Sequence, residues 1–258
     1  MMNTLITGIN SYIGNHLAIN LQGQHCLSGT YRINPPQQEL INTKLYKVDF
    51  SDNLSIDNWL AQTDFTKIDN LIFIHGTLVP VGKLSDVDFE SWHTAYTVNY
   101  LSIIKTLNHA LKYLKPGAKI VSLAGGGVNS APTNFHAYTS AKVALIKMTE
   151  LLAAEYPEHI FINIGPGWVD TPIHQQTLDS AEKAPAAYAE TERRYRENDF
   201  VPLDDVTQTL VHLLQNADQR YSGRNFSVAN GELFKQDIEI LLREHDNFKL
   251  RRYMKATI

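Results

Sequence analysis

Short apolar runs alternate along the chain with longer stretches in which apolar residues return every three or four positions. The runs fall at 3–7 (NTLIT), 25–31 (HCLSGTY), 45–48 (LYKV), 70–74 (NLIFI), 118–123 (AKIVSL), 160–164 (IFINI) and 225–229 (NFSVA). They have the length of strands and read as strands covered on both faces. Helical spacing occupies 13–22, 88–114, 138–155 and the region near 203–216. The second of these stops at Lys115-Pro116-Gly117, and the third runs from Val143 through Leu145, Ile146, Met148, Leu151 and Leu152 to Tyr156-Pro157. The alternation predicts an α/β chain, a doubly wound parallel sheet of about seven strands, in a single domain over 1–258. Segment 171–200 departs from the rhythm, being polar and rich in Ala and Glu. Open parallel sheets hold ligands beyond the carboxyl ends of their strands, so the segment reads as a substrate-covering insertion. A surface helix pair without that role is the competing reading.

Composition narrows the partners. The chain of 258 residues is 43% hydrophobic, enough for one full core, and its 23 Lys and Arg face 27 Asp and Glu for a net charge of −4. No concentrated basic face is expected, which argues against nucleic acid, and "RRYR" at 193–196 reads as solvated surface. Cys26 is the only cysteine, so neither an intrachain disulfide nor a cysteine metal cluster can form, and no metal site is expected. No apolar run approaches the roughly 18 residues that span a bilayer. The start, "MMNTLITG", lacks a signal-peptide pattern. A soluble, cytoplasmic protein is expected, with no membrane partner.

Two patterns carry chemistry. The first strand runs into "TGINSYIG", with Gly8 and Gly14 as outer glycines and Asn10, Ser11, Tyr12 and Ile13 between them. A glycine turn leading into a helix presents backbone N–H groups to a pyrophosphate, the dinucleotide site of a Rossmann-type sheet. After the second strand, Tyr31 stands where an acid would select NAD, and Arg32 follows. A guanidinium suits a 2′-phosphate, so NADP is favoured over NAD. Further on, Tyr138 and Lys142 are four apart on one helix face. The lysine charge is expected to lower the phenol pKa towards a value useful for proton transfer.

Together these motifs resemble the short-chain dehydrogenase/reductase family of the single-domain type, over nearly the whole length. "TGINSYIG" resembles its cofactor turn, and Asp49 in "KVDFSD" the aspartate that touches adenine. Asn99 in "VNYLSIIK" resembles the asparagine that holds a catalytic water beside the lysine. "YTSAK" resembles the Tyr/Lys motif, and "INIGPGWVDTP" the segment in which Pro166 and Gly167 shape a turn while Val169 and Thr171 face the nicotinamide. The resemblance implies an NAD(P)-dependent oxidoreductase that interconverts a carbonyl and an alcohol on a small molecule. Tyr138 would be its acid/base, assisted by Lys142 and Asn99. It also implies a homodimer or homotetramer through the helices at 88–114 and 138–155.

Three departures stand out. The central cofactor glycine is missing. The family's Asn-Asn-Ala-Gly appears as Phe73-Ile74-His75-Gly76, keeping only Gly76. The family's catalytic serine lies 12 to 14 residues before the tyrosine, and those positions are Ala124, Gly125 and Gly126. Ser130 ranks first as a substitute, ahead of Asn129, His136 and a backbone nest at Gly125–Gly127, while Ser122 lies too early in the strand. His136 and His75 read as hydrogen-bonded histidines near the surface. The departures favour one alternative, a weak or inactive NADP-binding regulatory or assembly protein, and the "TGINSYIG" turn suggests another, a sugar-nucleotide epimerase or dehydratase, for which the chain is short.

Overall fold

The computed structural model describes residues 1–38, 40–127 and 130–251. Strands form at all seven apolar runs: β1 (Met2–Thr7), β2 (His25–Tyr31), β3 (Lys44–Lys47), β4 (Asn70–Phe73), β5 (Lys119–Leu123), β6 (Ile160–Gly165) and β7 (Arg224–Ser227). They make one sheet in the order β3-β2-β1-β4-β5-β6-β7, with every pairing parallel. Neighbouring residues on a strand point to opposite faces, and both are apolar. Leu5, Leu71, Ile120 and Phe161 enter one core layer, while Ile6, Ile72, Val121 and Ile162 enter the other. The strand order reverses between β1 and β4, which opens a crevice at their carboxyl ends.

Helices cover both faces. α1 (Tyr12–Leu21) and α8 (Leu203–Asn216) bury Leu17, Leu21, Leu210 and Leu213 in one layer. α2 (Asn53–Gln62), α4 (Ser102–Ala110) and α5 (His136–Glu155) bury Trp59, Leu107 and Leu145 in the other. α2 was not anticipated, because its apolar period consists of Ile56, Trp59 and Leu60 alone.

The stretch 88–114 is not one helix. α3 (Phe89–Tyr96) passes into a π-turn (Thr97–Leu101) before α4 begins. Side chains compete here for helical carbonyls: the Asn99 amide donates to Ala95 O at 2.9 Å, and the Ser102 hydroxyl to Val98 O at 2.9 Å. Such local bonds loosen the regular ladder, and the wider turn is the usual result at a functional position.

Segment 171–200 contains a short 3-10 turn (Pro172–His174), α6 (Gln175–Leu178) and α7 (Pro185–Glu197), which Asn198 ends in a left-handed conformation at φ 51°. Arg193 pairs with Glu190, Glu197 and Asp199 and Arg196 is exposed, whereas Arg194 is half-buried, so the basic run is only partly solvated surface. α9 (Ile238–Leu241) follows β7. Among the described residues no helix is long and apolar enough to cross a membrane, and no group of three His, Cys, Asp or Glu could hold a metal ion.

Candidate active site

The turn after β1 is shaped by its two outer glycines. Gly8 adopts φ +71°, and a β-carbon there would stand 3.1 Å from His75 N. A β-carbon at Gly14 would lie 2.3 Å from Gly8 O, so only glycine lets α1 start so close to the strand. Ser11, at a place where a central glycine was sought, caps α1 by accepting the Gly14 N–H at 3.1 Å. The N–H groups of Tyr12 and Ile13, which no helical carbonyl can reach, remain for an anion. Asn10 is exposed, and its amide donates to Asn34 O at 2.9 Å.

At the ends of β2 and β3 lies an open cleft of about 560 Å³ lined by Arg32, Ile33, Lys47, Asp49, Asp52 and Ser55. Burial opposes ionisation of Asp49, but two hydrogen bonds from Ser51 and the Arg32 charge hold its carboxyl below the usual range. Lys47 is a second cation in this cleft, and sequence reasoning passed over it. Its signal was its place at the end of β3, two residues before Asp49.

Four predicted residues meet on the other side of the crevice. Lys142 is 4% exposed and donates to Leu123 O at 2.9 Å. A β-carbon on Gly76 would stand 2.8 Å from Asn99 Oδ1 and 3.7 Å from Lys142 Nζ, so this glycine makes room for both. Asn99 is fully buried; its Oδ1 accepts the Thr77 N–H at 3.1 Å, and its Nδ2 donates to Thr77 O at 2.8 Å. Lys142 Nζ lies 5.8 Å from the centroid of the Tyr138 ring.

The pKa expectation for this pair is corrected. Burial pushes the Tyr138 phenol up to about 12 rather than down, and burial brings Lys142 down to about 8. The ammonium spends its short contact on the Leu123 carbonyl, so it does not offset the phenol's loss of water.

The gap left by the absent serine has a steric content. A β-carbon at Gly125 would stand 2.6 Å from both the hydroxyl and Cε1 of Tyr138. The phenol rests on bare backbone at the middle one of the three positions where a serine was sought. Ala124 is buried, whereas a β-carbon at Gly126 would meet nothing within 4 Å. Ser130 is exposed, and Asn129 lies outside the described residues. Ser122 is buried and accepts from Asn163 Nδ2 at 2.9 Å. His136 Nδ1 accepts from Trp92 Nε1 at 2.9 Å, as a hydrogen-bonded structural histidine should, while its Nε2 is buried and finds no partner among the described residues.

His75 is buried, against the expectation of a surface position. Its Nε2 lies 3.0 Å from Ser102 Oγ, whose own hydrogen goes to Val98 O, so Nε2 carries the proton. Nδ1 then accepts from the Thr7 hydroxyl at 2.7 Å. The ring stacks on Phe50 at 3.8 Å, and burial, with help from the Lys142 charge, brings its pKa down to about 3. This neutral imidazole ties the end of β1 to the start of α4.

After β6, Pro166 leads into Gly167 at φ +79°, where a β-carbon would stand 2.6 Å from Val201 Cγ2. Val169 is buried, and its carbonyl accepts from His174 Nε2 at 2.9 Å. Thr171 is half-buried and precedes the 3-10 turn. Trp168 stacks parallel to His174 at 4.5 Å, with the Arg194 guanidinium 4.6 Å from the same ring.

A glycine turn at a sheet reversal thus faces half-buried Tyr138 and buried Lys142 and Asn99. The model of a family described as enoyl-(acyl carrier protein) reductase matches residues 13–232. The chain belongs to the short-chain dehydrogenase/reductase family. Members of that family are oxidoreductases acting on CH–OH and C=O groups. The chain is 26% identical over 166 residues to an uncharacterized oxidoreductase of Schizosaccharomyces pombe, spanning 62% of this chain and 66% of that one. It is 25% identical over 248 residues to the D-beta-hydroxybutyrate dehydrogenase of Cupriavidus necator, covering 88% and 96% of the two chains. A short-chain dehydrogenase from Burkholderia cenocepacia, solved in complex with NADP, shares the fold with a TM-score of 0.71 at 19% identity, over 88% and 95%.

Two outcomes follow from this geometry. Gly125→Ser should destabilise the protein by about 1–3 kcal/mol through overpacking against Tyr138, whereas Gly126→Ser should cost under about 0.5 kcal/mol. Urea denaturation checks both, and equal costs would refute the close contact. The second concerns Lys142, whose pKa is about 8 folded against 10.5 as the ordinary value. Between those values the unfolded chain binds more protons, so this residue makes stability rise with pH, and its penalty is fully present below about 8. From pH 7.5 to 9.5 the wild type should gain about 2 kcal/mol on Lys142→Met. Parallel stability profiles would contradict the buried ammonium.

Proposed function

We propose that the protein is an NADP-dependent oxidoreductase that interconverts a carbonyl and an alcohol on a small molecule, with Tyr138 as acid/base. The observation that carries this reading is the convergence of Tyr138, Lys142 and Asn99 beside the glycine turn. The turn fits a dinucleotide: Gly8 and Gly14 clear the backbone, and the first N–H groups of α1 are available for a diphosphate. Asp49 would meet the adenine, Arg32 and Lys47 the 2′-phosphate, and the Pro166–Thr171 segment the nicotinamide end. When bound, the cofactor supplies or accepts the hydride at the carbonyl carbon.

The chain's own groups handle the proton. A phenol with a pKa near 12 keeps its hydrogen at neutral pH, so Tyr138 donates a hydrogen bond to a carbonyl oxygen and yields its proton as that oxygen gains charge. Lys142 then places positive charge near the phenolate that results, and Asn99 holds the turn beside it. The absent second donor lowers the rate, on the order of 10²–10³ by the cost of losing one oxyanion donor. Ser130 is the candidate side chain to restore it if its loop folds inward over substrate.

The exposed Phe89, Leu101 and Leu151 on the surface of α3, the π-turn and α5 support a homodimer or homotetramer through these helices. A cytoplasmic setting rests on the single free Cys26. The NADP reading is also supported by the Burkholderia cenocepacia neighbour, whose structure holds NADP.

Tyr138→Phe should abolish hydride transfer from NADPH across a panel of carbonyl compounds while cofactor affinity stays within about twofold. Retained turnover would refute the acid/base role. Arg32→Ala should weaken NADPH binding about tenfold, or ~1.4 kcal/mol, and leave NADH unchanged. Fluorescence titration reads both, and equal losses for the two cofactors would overturn the NADP preference.

A further inference from the structure

The insertion is fixed at its roots by contacts within its own neighbourhood. Val201 N–H donates to Trp168 O at 2.6 Å, and His174 binds Val169 O while stacking on Trp168. Further along, one side chain reaches across the crevice. Gln176 Oε1, on α6, accepts from the Thr77 hydroxyl at 3.3 Å, Leu78 N–H at 2.9 Å and Val79 N–H at 3.1 Å. Three donors from the loop after β4 thus converge on one oxygen of the insertion.

Thr77 is the same residue whose N–H and carbonyl are both held by Asn99. It therefore stands between the insertion and the turn beside Lys142. Val79 is 46% exposed, so water can replace Gln176 when the segment lifts, and the contact is exchangeable. Only the acceptor oxygen of Gln176 is used in these bonds. A carboxylate would serve equally, and a hydrocarbon would not.

We propose that Gln176 is a positioning residue: its oxygen latches segment 171–200 onto residues 77–79, so that closure over substrate and the setting of Asn99 occur as one event. The proposal rests on the oxidoreductase reading, but its first test does not. Hydrogen exchange read by mass spectrometry, with and without NADPH, compares wild type with Gln176→Leu and Gln176→Glu.

Exchange at Leu78, Val79 and α7 should quicken about tenfold in the leucine variant and stay near wild type in the glutamate variant. Turnover of a panel of aliphatic and aromatic carbonyl compounds with NADPH is the second arm. There the leucine variant should raise KM about tenfold at unchanged NADPH affinity, and glutamate should rescue it. Unchanged exchange in the leucine variant, or a glutamate variant that behaves like leucine, would overturn the latch. Faster exchange with unchanged KM would overturn its coupling to substrate. If the leucine variant fails to fold, the glutamate variant decides, since quickened exchange there contradicts an acceptor role. If the wild type turns over no carbonyl, the oxidoreductase reading falls while the exchange comparison still judges the latch.

Discussion

The buried ammonium of Lys142 is the constraint around which the site is built. A charge taken out of water needs partners, and among the described residues this one makes a single hydrogen bond, to the Leu123 carbonyl at the end of β5. Its surroundings follow from that. Gly76 leaves space beside it, Asn99 is drawn into the same volume by its bonds to Thr77 and Ala95, and the helix carrying Asn99 widens into a π-turn. The same burial that makes Lys142 lose its proton readily makes Tyr138 keep its own. Under the proposed function, this state has the pair poised to give a proton to an incoming oxygen.

The sheet was legible because its central strands β1, β4, β5 and β6 are short apolar runs with apolar residues on both faces, a pattern few alternatives share. The pairing of Tyr138 with Lys142 was legible through spacing, and Asn99 and Gly76 through the resemblance of their motifs to the family's. Other features depend on contacts that spacing does not encode. The broken helix at 97–101 comes from side-chain bonds to carbonyls, which leave the apolar period of 88–114 intact. α2 was hidden by a short apolar stripe, Lys47 by the β2–β3 pairing that sets it beside Tyr31 and Arg32, and Gln176 by a contact across nearly a hundred residues. The phenol pKa was misread because charge proximity was weighed without desolvation, the larger effect here.

The sequence departures also gain physical meaning. Ser11 replaces a glycine with a helix cap, and His75 replaces a small residue with a neutral imidazole bridging β1 and α4. Both strengthen the frame without entering the chemistry. The glycine at 125 is different, since it lets the phenol lie where any β-carbon at that position would stand. A side chain at position 125 would therefore displace the Tyr138 ring from its present place.

The most direct test of the account is to follow the hydride itself. NADPH carrying deuterium at the transferred position of C4 is incubated with the protein and a panel of carbonyl compounds, and the alcohols are analysed by mass spectrometry. The account predicts at least one alcohol labelled at the former carbonyl carbon. NADPH binding without label in any product would contradict it and leave a dinucleotide-binding protein without catalysis.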